Sequence, residues 1–418
     1  MLTYLVQVTE GLLLTAVLSG MLFAYASVHW DKRGMRVVQA GLALAWLAGI
    51  VIAVLKNTTK LIDSGLWNLR FVAIFLVGLA VFLLVMLPPV ARLLGGRGAL
   101  LQQLAVAALL VGVTGYMSPE PLAYPATMML SVKSVISSDY FFRMVGWTFG
   151  MVLMLLAALS THRVITALED PYATAVPAVG STFVGLVLSG LATRALITRR
   201  LIAPKPFLMK VAVFASNNNL LFSCIIGALA LACVIVLVMR SMHVQEPYNN
   251  PAQHRKIRAK WRNRRRWSAV AIVCLLIALL NLTAIKAYNS REVELSPSED
   301  FEMRDDGCYI PLTQVEDYHL HRFTYTTEND VGIRFIVIRK PGGSAYGIGL
   351  DACDICGETG YYERDDQVVC KLCDVVMNVQ TIGFKGGCNP IVIDYEIKDG
   401  YIIVPFDTLL EHEDIFTR

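Results

Sequence analysis

DACDICGETGYYERDDQVVCKLCDVVMNVQTIGFKGGCNP, residues 351–390, carries five of the nine cysteines, spaced C-x2-C-x13-C-x2-C-x14-C. Two thiolates from one tight turn grip a metal ion, and a second such turn completes a tetrahedron around it. Two C-x2-C pairs this close, the first running directly into Gly357, have that form. The stretch therefore reads as a four-cysteine site of zinc-ribbon or rubredoxin-like kind, built from Cys353, Cys356, Cys370 and Cys373. Spacing points to a metal without selecting which one. Disulfides and a thiol-disulfide redox pair are the other chemistries open to these residues, and an oxidising compartment favours disulfides. A thioredoxin-type pair needs alternating strands and helices, a pattern absent here.

Everything ahead of Ala287 has a different character. Of 418 residues 55% are apolar and only 17% are charged, too apolar for a soluble protein of this length. Eight apolar runs are long enough to cross a hydrocarbon core of about 30 Å. They are Gly11–Val28, Val37–Leu55, Phe71–Val90, Leu100–Met117, Phe141–Ser160, Ala178–Ile197, Leu220–Met239 and Trp267–Ala287. Ala24-Tyr25-Ala26 imitates a signal-peptidase site, but Glu10 and no Lys or Arg precede the run, so it reads as a retained span. The expected fold class is an α-helical polytopic membrane domain followed by a small, mainly-β extracytoplasmic domain. The expected divisions are spans in 1–240, a basic cytoplasmic loop in 241–266, the last span in 267–287, an acidic linker in 288–306 and the cysteine-rich domain in 307–418.

Orientation follows from basic residues in short loops, which stay in the cytoplasm. Lys32, Arg33 and Arg36 place the first loop inside, and Arg92 with Arg97 do the same for the third. RKIRAKWRNRRR, Arg255 to Arg266, stands immediately before the last span, so the cysteine domain is expected outside, on a multi-pass protein of a bacterial cytoplasmic membrane. Arg199, Arg200, Lys205 and Lys210 fall outside by this count; the apolar Phe207–Phe214 reads as a re-entrant or interfacial piece that changes the parity upstream. The basic run is a topology signal resting on anionic lipid, not a nucleic-acid site.

Ionisable groups inside a bilayer are costly and suggest function. Glu10 is the only acidic residue within a span, near its outer end, where a cavity or a metal or proton path is the functional reading. Asn217 to Asn219 and Asn281 are suited to interhelical hydrogen bonds. His29, His162 and His243 stand at span ends, which argues against a membrane haem. Cys224, Cys233 and Cys274 lie in apolar spans and read as small hydrophobes.

Beyond SREVELSPSEDFEMRDD the period changes to two. His319–Tyr325, Ile333–Ile338, Tyr346–Leu350, Ile391–Ile397 and Tyr401–Val404 read as strands of a small antiparallel sheet. Alternation puts His319, His321, Phe323 and Tyr325 on one face, so His321 is a supporting metal candidate or a hydrogen-bonded sheet residue. Cys308 either pairs with Cys388 or is free.

The runs LHRF, IRFIVIRK, DACDICGETGYYERDDQVVCKLC and IGFKGGCNPI resemble the carboxy-terminal domain of the membrane iron-sulfur proteins called FtrD-like, over about the last hundred residues. The resemblance implies an extracytoplasmic iron-sulfur or iron centre that moves electrons in ferrous-iron uptake. The implied partners are an iron permease and an extracytoplasmic iron-binding protein. The implied ligands are Cys353, Cys356, Cys370 and Cys373, with Cys388 and His321 in support. The first span, VTEGLLLTAVLSG, resembles the start of iron permeases, whose helices carry R-E-x-x-E. Thr9 precedes Glu10 and Leu13 stands where the second Glu belongs, so the chain is not a self-sufficient permease.

Two functions compete. In one, a thiolate-held iron-sulfur cluster or mononuclear iron changes valence, with sulfur charge tuned by the amides of Gly357, Gly386 and Gly387 and by Tyr361 and Tyr362. In the other, a structural zinc or disulfide module folds around its staple and docks on, or delivers metal to, a transporter; zinc and copper are the alternatives to iron for a mononuclear centre. No catalytic triad, phosphate-binding glycine loop or paired carboxylate motif is present, so the chain reads as a redox component, not a hydrolase.

Overall fold

The structure is a computed structural model that describes residues 1–59, 63–130, 137–203, 205–244, 246–289, 294–364, 367–372, 375–384 and 389–417. The chain divides into two compact units, Met1–Ser290 and Arg291–Arg418.

Helices make the first unit: α1 (Leu2–His29), α2 (Lys32–Thr58), α3 (Ser64–Met86), α4 (Pro88–Leu94), α5 (Gly96–Met117), α6 (Pro119–Leu130), α7 (Ser138–Leu168), α8 (Tyr172–Thr198), α9 (Pro206–Asn217), α10 (Asn219–Met242), α11 (Pro251–Leu280) and α12 (Lys286–Asn289). Among the described residues eight helical segments are long and apolar enough to cross a membrane, one for each run read from the sequence. Short side chains set several starts. Asp31 accepts from the amides of Arg33 and Gly34 at the head of α2, and Asp63 does the same for Gly65 and Leu66 at α3. The piece around Phe207–Phe214 is α9, a helix of 12 residues, too short to span.

The basic run is not a loop. Asn250 caps Gln253, Pro251 takes the first helical position, and Arg255–Arg266 forms the first half of α11, continuous with the last span. Arg, Lys and Ala are strong helix formers, so charge density does not break the helix.

α1 is the central helix: 78% of its apolar window is buried, against 33% in α2 and α3. A methyl at Gly20 would run into the Ala158 carbonyl, so only glycine lets α1 and α7 cross this closely. Glu10 is not an isolated charge: Lys286 Nζ lies 2.9 Å from its Oε1. Below it Asn281 Nδ2 donates to Thr9 Oγ1 at 3.3 Å, from the head of a single π turn, Asn281–Ile285. Cys233 and Cys274 are buried and Cys224 is exposed.

The second unit is built of antiparallel strands: β1 (Glu302–Arg304), β2 (Gly307–Pro311), β3 (His321–Thr326), β4 (Gly332–Arg339), β5 (Tyr346–Leu350), β6 (Tyr361–Arg364), β7 (Gln367–Cys370), β8 (Glu396–Lys398) and β9 (Tyr401–Pro405). They form a sheet ordered β1-β2-β9-β8, a second ordered β3-β4-β5 and the hairpin β6-β7. Asp399 and Gly400, both with positive φ, make the two-residue turn between β8 and β9. A short helix, α13 (Phe406–Leu410), follows β9. The acidic stretch ahead of β2 lies on the sheet: the Glu299 amide donates to Arg322 O at 2.7 Å, and Glu302–Arg304 is β1.

Strand β4 is apolar at both parities, and register explains why. Phe323, Phe335, Val337, Ile348 and Leu350 fill the core shared with β2 and β9, while Ile336 and Ile338 face the other way, into a second cluster with Cys353, Tyr361 and Cys370. Arg322 lies opposite Ile336, so it too is sealed in, 1% exposed beside the fully buried Asp351. Arg322 Nε donates to Asp351 Oδ2 at 2.9 Å; Nη1 donates to Ser296 and Nη2 to the Tyr361 carbonyl. The other carboxylate oxygen accepts from the Tyr361 amide at 2.8 Å.

Removing one member of such a pair leaves the other charge buried, at a cost of about 3–5 kcal/mol. Arg322→Met is expected to destabilise the carboxy-terminal unit by that amount in denaturant titrations of the full chain followed by near-ultraviolet circular dichroism. Arg322→Met with Asp351→Leu costs less than the single change, because no buried carboxylate remains and Arg334, the other cation on it, is 28% exposed and reaches water.

Candidate metal centre

The site begins where β5 ends. Asp351 is fixed by Arg322, and two residues later the chain makes a tight turn in which the Cys353 amide donates to Gly357 O at 3.1 Å and the Gly357 amide to Cys353 O at 2.9 Å. Gly357 sits at φ +68°, a left-handed conformation that closes the turn at little cost to glycine. The Cys356 amide points at the Cys353 sulfur, 3.2 Å away. It is this amide, not that of Gly357, that donates to sulfur in the first turn.

The second turn is carried by the β6-β7 hairpin. Tyr361 pairs with Cys370 across it, the Lys371 amide donates to Gly360 O at 3.0 Å, and the Cys370 amide to Val375 O at 3.0 Å. A Cβ at Gly360 would stand 2.8 Å from Asp351 Oδ2, so glycine lets the hairpin come against the buried carboxylate. Asp351 thus locates the first turn and the hairpin that leads into the second.

Cys353, Cys370 and Tyr361 are buried together with Ile336, Ile338, Val368 and Ile382, and Cys356 packs against that cluster. The Tyr361 hydroxyl hydrogen-bonds the Cys353 sulfur. Burial, then the nearby sulfurs, push its phenol far above the ordinary range, so it remains a donor. Tyr362 instead takes a bond from Arg364 Nη1 at 3.3 Å. Cys353 and Cys370 are in no disulfide. Cys373 and Cys388, and Gly386 with Gly387, lie outside the described residues. Among the described residues no three His, Cys, Asp or Glu side chains form a group arranged to hold a metal. The chemistry of the donors present fits a thiolate-bound centre: buried sulfurs, N–H and O–H donors to sulfur, and an apolar surround.

His321 shares its face of β3 with Phe323, on the side turned away from Ile336 and Ile338. Its Nδ1 lies 2.9 Å from Glu299 Oε1 and its Nε2 2.8 Å from Asp317 Oδ1, so both nitrogens face carboxylates. Although burial opposes it, the His319 amide and the His321 ring hold the Asp317 carboxyl below the usual range. His319 precedes β3 and its Nδ1 lies 2.8 Å from Glu363 Oε1. Cys308, on β2 opposite Val404, is fully buried, is in no disulfide, and has its thiol pushed up to about 12 by burial. It is an inert core residue.

Sequence reading missed Arg322, Asp351 and Gly360. The available signal was β4, whose two apolar parities require cover on both faces and so bury whatever lies beside Ile336.

No curated protein and no solved structure matches the chain. The family model described as "Membrane iron-sulfur containing protein FtrD-like" matches residues 315–416, which include strands β3 to β9 and both cysteine turns.

Proposed function

We propose that the chain is a membrane-bound electron-transfer protein serving ferrous-iron transport, with Cys353, Cys356, Cys370 and Cys373 holding an iron-sulfur cluster or a single iron ion. The observation that carries this reading is the burial of Cys353 and Cys370 in one apolar cluster with Tyr361, against which Cys356 packs, within the stretch that matches an iron-sulfur family. Such a group, when bound, supplies a one-electron change of valence. The chain's own residues set its terms. The Cys356 amide and the Tyr361 hydroxyl take up part of the negative charge on the Cys353 sulfur, while Ile336, Ile338 and Ile382 keep water away.

The donor or acceptor is iron in transit, and the partners we propose are an iron permease and an extracytoplasmic iron-binding protein. The basic half of α11 supports an extracytoplasmic cysteine unit, because the positive-inside rule favours the cytoplasm for that half of the helix.

Purified full chain in detergent is expected to be brown, with charge-transfer absorption that dithionite bleaches; a colourless protein holding one zinc overturns the iron reading. Cys356→Ser lowers iron per chain and lowers the unfolding midpoint, since thiolate binding energy is also folding energy. Full occupancy in that variant removes Cys356 from the ligand set.

Tyr361→Phe deletes an O–H donor to sulfur, which disfavours the more negative, reduced state. The reduction potential is expected to fall in a redox titration, with iron content unchanged. An unchanged potential would show that the hydroxyl does not tune the centre.

Ser344→Cys, on an exposed turn, is expected to react with a membrane-impermeant maleimide on intact cells above the background of the natural chain. Labelling that appears only after lysis reverses the topology.

A further inference from the structure

The ends of α7 and α10 and the basic half of α11 enclose a polar cavity of about 590 Å³, lined by Leu168, Glu169, Arg240, His243, Glu246, Lys260, Trp261 and Arg264. Two of its cations are balanced. Lys260 Nζ lies 3.2 Å from Glu246 Oε1, and Arg264 Nη2 lies 3.5 Å from Glu169 Oε1. Trp261 Nε1 fixes the Glu246 carboxylate at 2.7 Å. Arg240 meets no carboxylate among the described residues. Its Nη1 donates to the Leu168 carbonyl at 3.0 Å and its guanidinium lies over the Tyr172 ring at 5.0 Å. A carbonyl and a ring hold the head group in place without neutralising it.

Cations around the pocket outnumber its two carboxylates, Glu169 and Glu246. Arg258 and Arg265 line an adjoining cavity that shares Trp261, and α11 turns apolar from Trp267 onward, which sets the pocket at head-group depth. A guanidinium held on one side presents its remaining N–H groups as a planar fork, the geometry that suits a phosphate. Basic pockets between membrane helices recognise phosphate head groups, whereas an exposed basic stripe attracts anionic surface without regard to position.

We propose that this cavity binds a phosphate-bearing anion, with Arg240 as the central donor and Lys260 and Arg264 on its flanks. The ligand is the phosphate of an anionic phospholipid or a soluble phosphate; both present the same oxygens to Arg240.

The test uses full-length protein in a neutral detergent, with phosphatidylglycerol, phosphatidylcholine or inorganic phosphate added, read by native mass spectrometry and by tryptophan fluorescence. Saturable binding of phosphatidylglycerol but not phosphatidylcholine supports a lipid ligand. Competition by inorganic phosphate supports a soluble one. Arg240→Gln is expected to weaken binding by about fivefold to tenfold, the loss of one cation at a membrane surface. Lys260→Gln, on a side chain 47% exposed, weakens it without disturbing the helix ends. Arg262→Gln, on the exposed side of α11 away from the cavity, leaves it nearly unchanged. No saturable binding of either phosphate source, or an equal loss in Arg262→Gln and Arg240→Gln, overturns the proposal and leaves only diffuse attraction.

Discussion

The carboxy-terminal unit depends on one ion pair with almost no access to water, Arg322 with Asp351. Taking a guanidinium and a carboxylate out of water costs several kcal/mol per ion, and Coulomb attraction alone recovers this poorly. What offsets it is full use of the hydrogen-bonding capacity. Arg322 reaches Asp351, Ser296 and the Tyr361 carbonyl, and Asp351 reaches Arg322 and Arg334 on one oxygen and the Tyr361 amide on the other. Together the bonds among Ser296, Arg322, Asp351 and Tyr361 tie four segments: the stretch before β1, the strand β3, the end of β5 and the start of β6. A hydrophobic pair of equal volume would pack as tightly but would not tie these segments to one another at defined points. Geometry is what the pair contributes, more than stability.

That dependence explains which parts of the molecule could be read from the sequence. Span existence follows from the length of an apolar run, a local property, and all eight runs have their helix. The strands β3, β4, β5 and β9 were legible because alternation or β-branched residues mark them locally. β1, β2, β6 and β7 were not, being short and polar or defined only by partners. β2 pairs with β9, so that Cys308 meets Val404, a contact no window of sequence contains. The candidate site divides the same way. Spacing names the cysteines, but which face of β3 they cover is set by how the β6-β7 hairpin folds over Ile336 and Ile338. Alternation grouped His321 with Phe323 correctly; it could not show that this face belongs to the other core.

In the membrane unit the same logic acts on single charges. Glu10 reads in isolation as a functional carboxylate, yet Lys286, 276 residues later, lies beside it. A carboxylate with an ammonium partner at the end of two adjacent helices satisfies the bilayer's demand for neutralisation. The basic half of α11 shows the converse. Composition declares its charge, but only the packing of α7 and α10 against it separates Arg240, held by a carbonyl and a ring, from Lys260 and Arg264, which are paired.

Neutrality bears on the proposed redox role as well. Because Asp351 is met by Arg322 at 2.9 Å and by Arg334 at 3.4 Å, the nearest buried carboxylate is fully countered and brings no negative charge to the cysteine cluster. An apolar surround of Ile336, Ile338, Val368 and Ile382 favours the less charged of two valence states, which for thiolate-held iron is the oxidised one. The Cys356 amide and the Tyr361 hydroxyl act in the opposite direction by placing hydrogens against sulfur. Both donors are uncharged, so they stabilise the reduced state without the desolvation that a lysine or arginine would bring. Burial and hydrogen bonding to sulfur therefore oppose each other over a short range, and the balance is set by the packing that Asp351 anchors. In the proposed centre, a change that loosens the hairpin shifts the valence equilibrium even where every cysteine is retained.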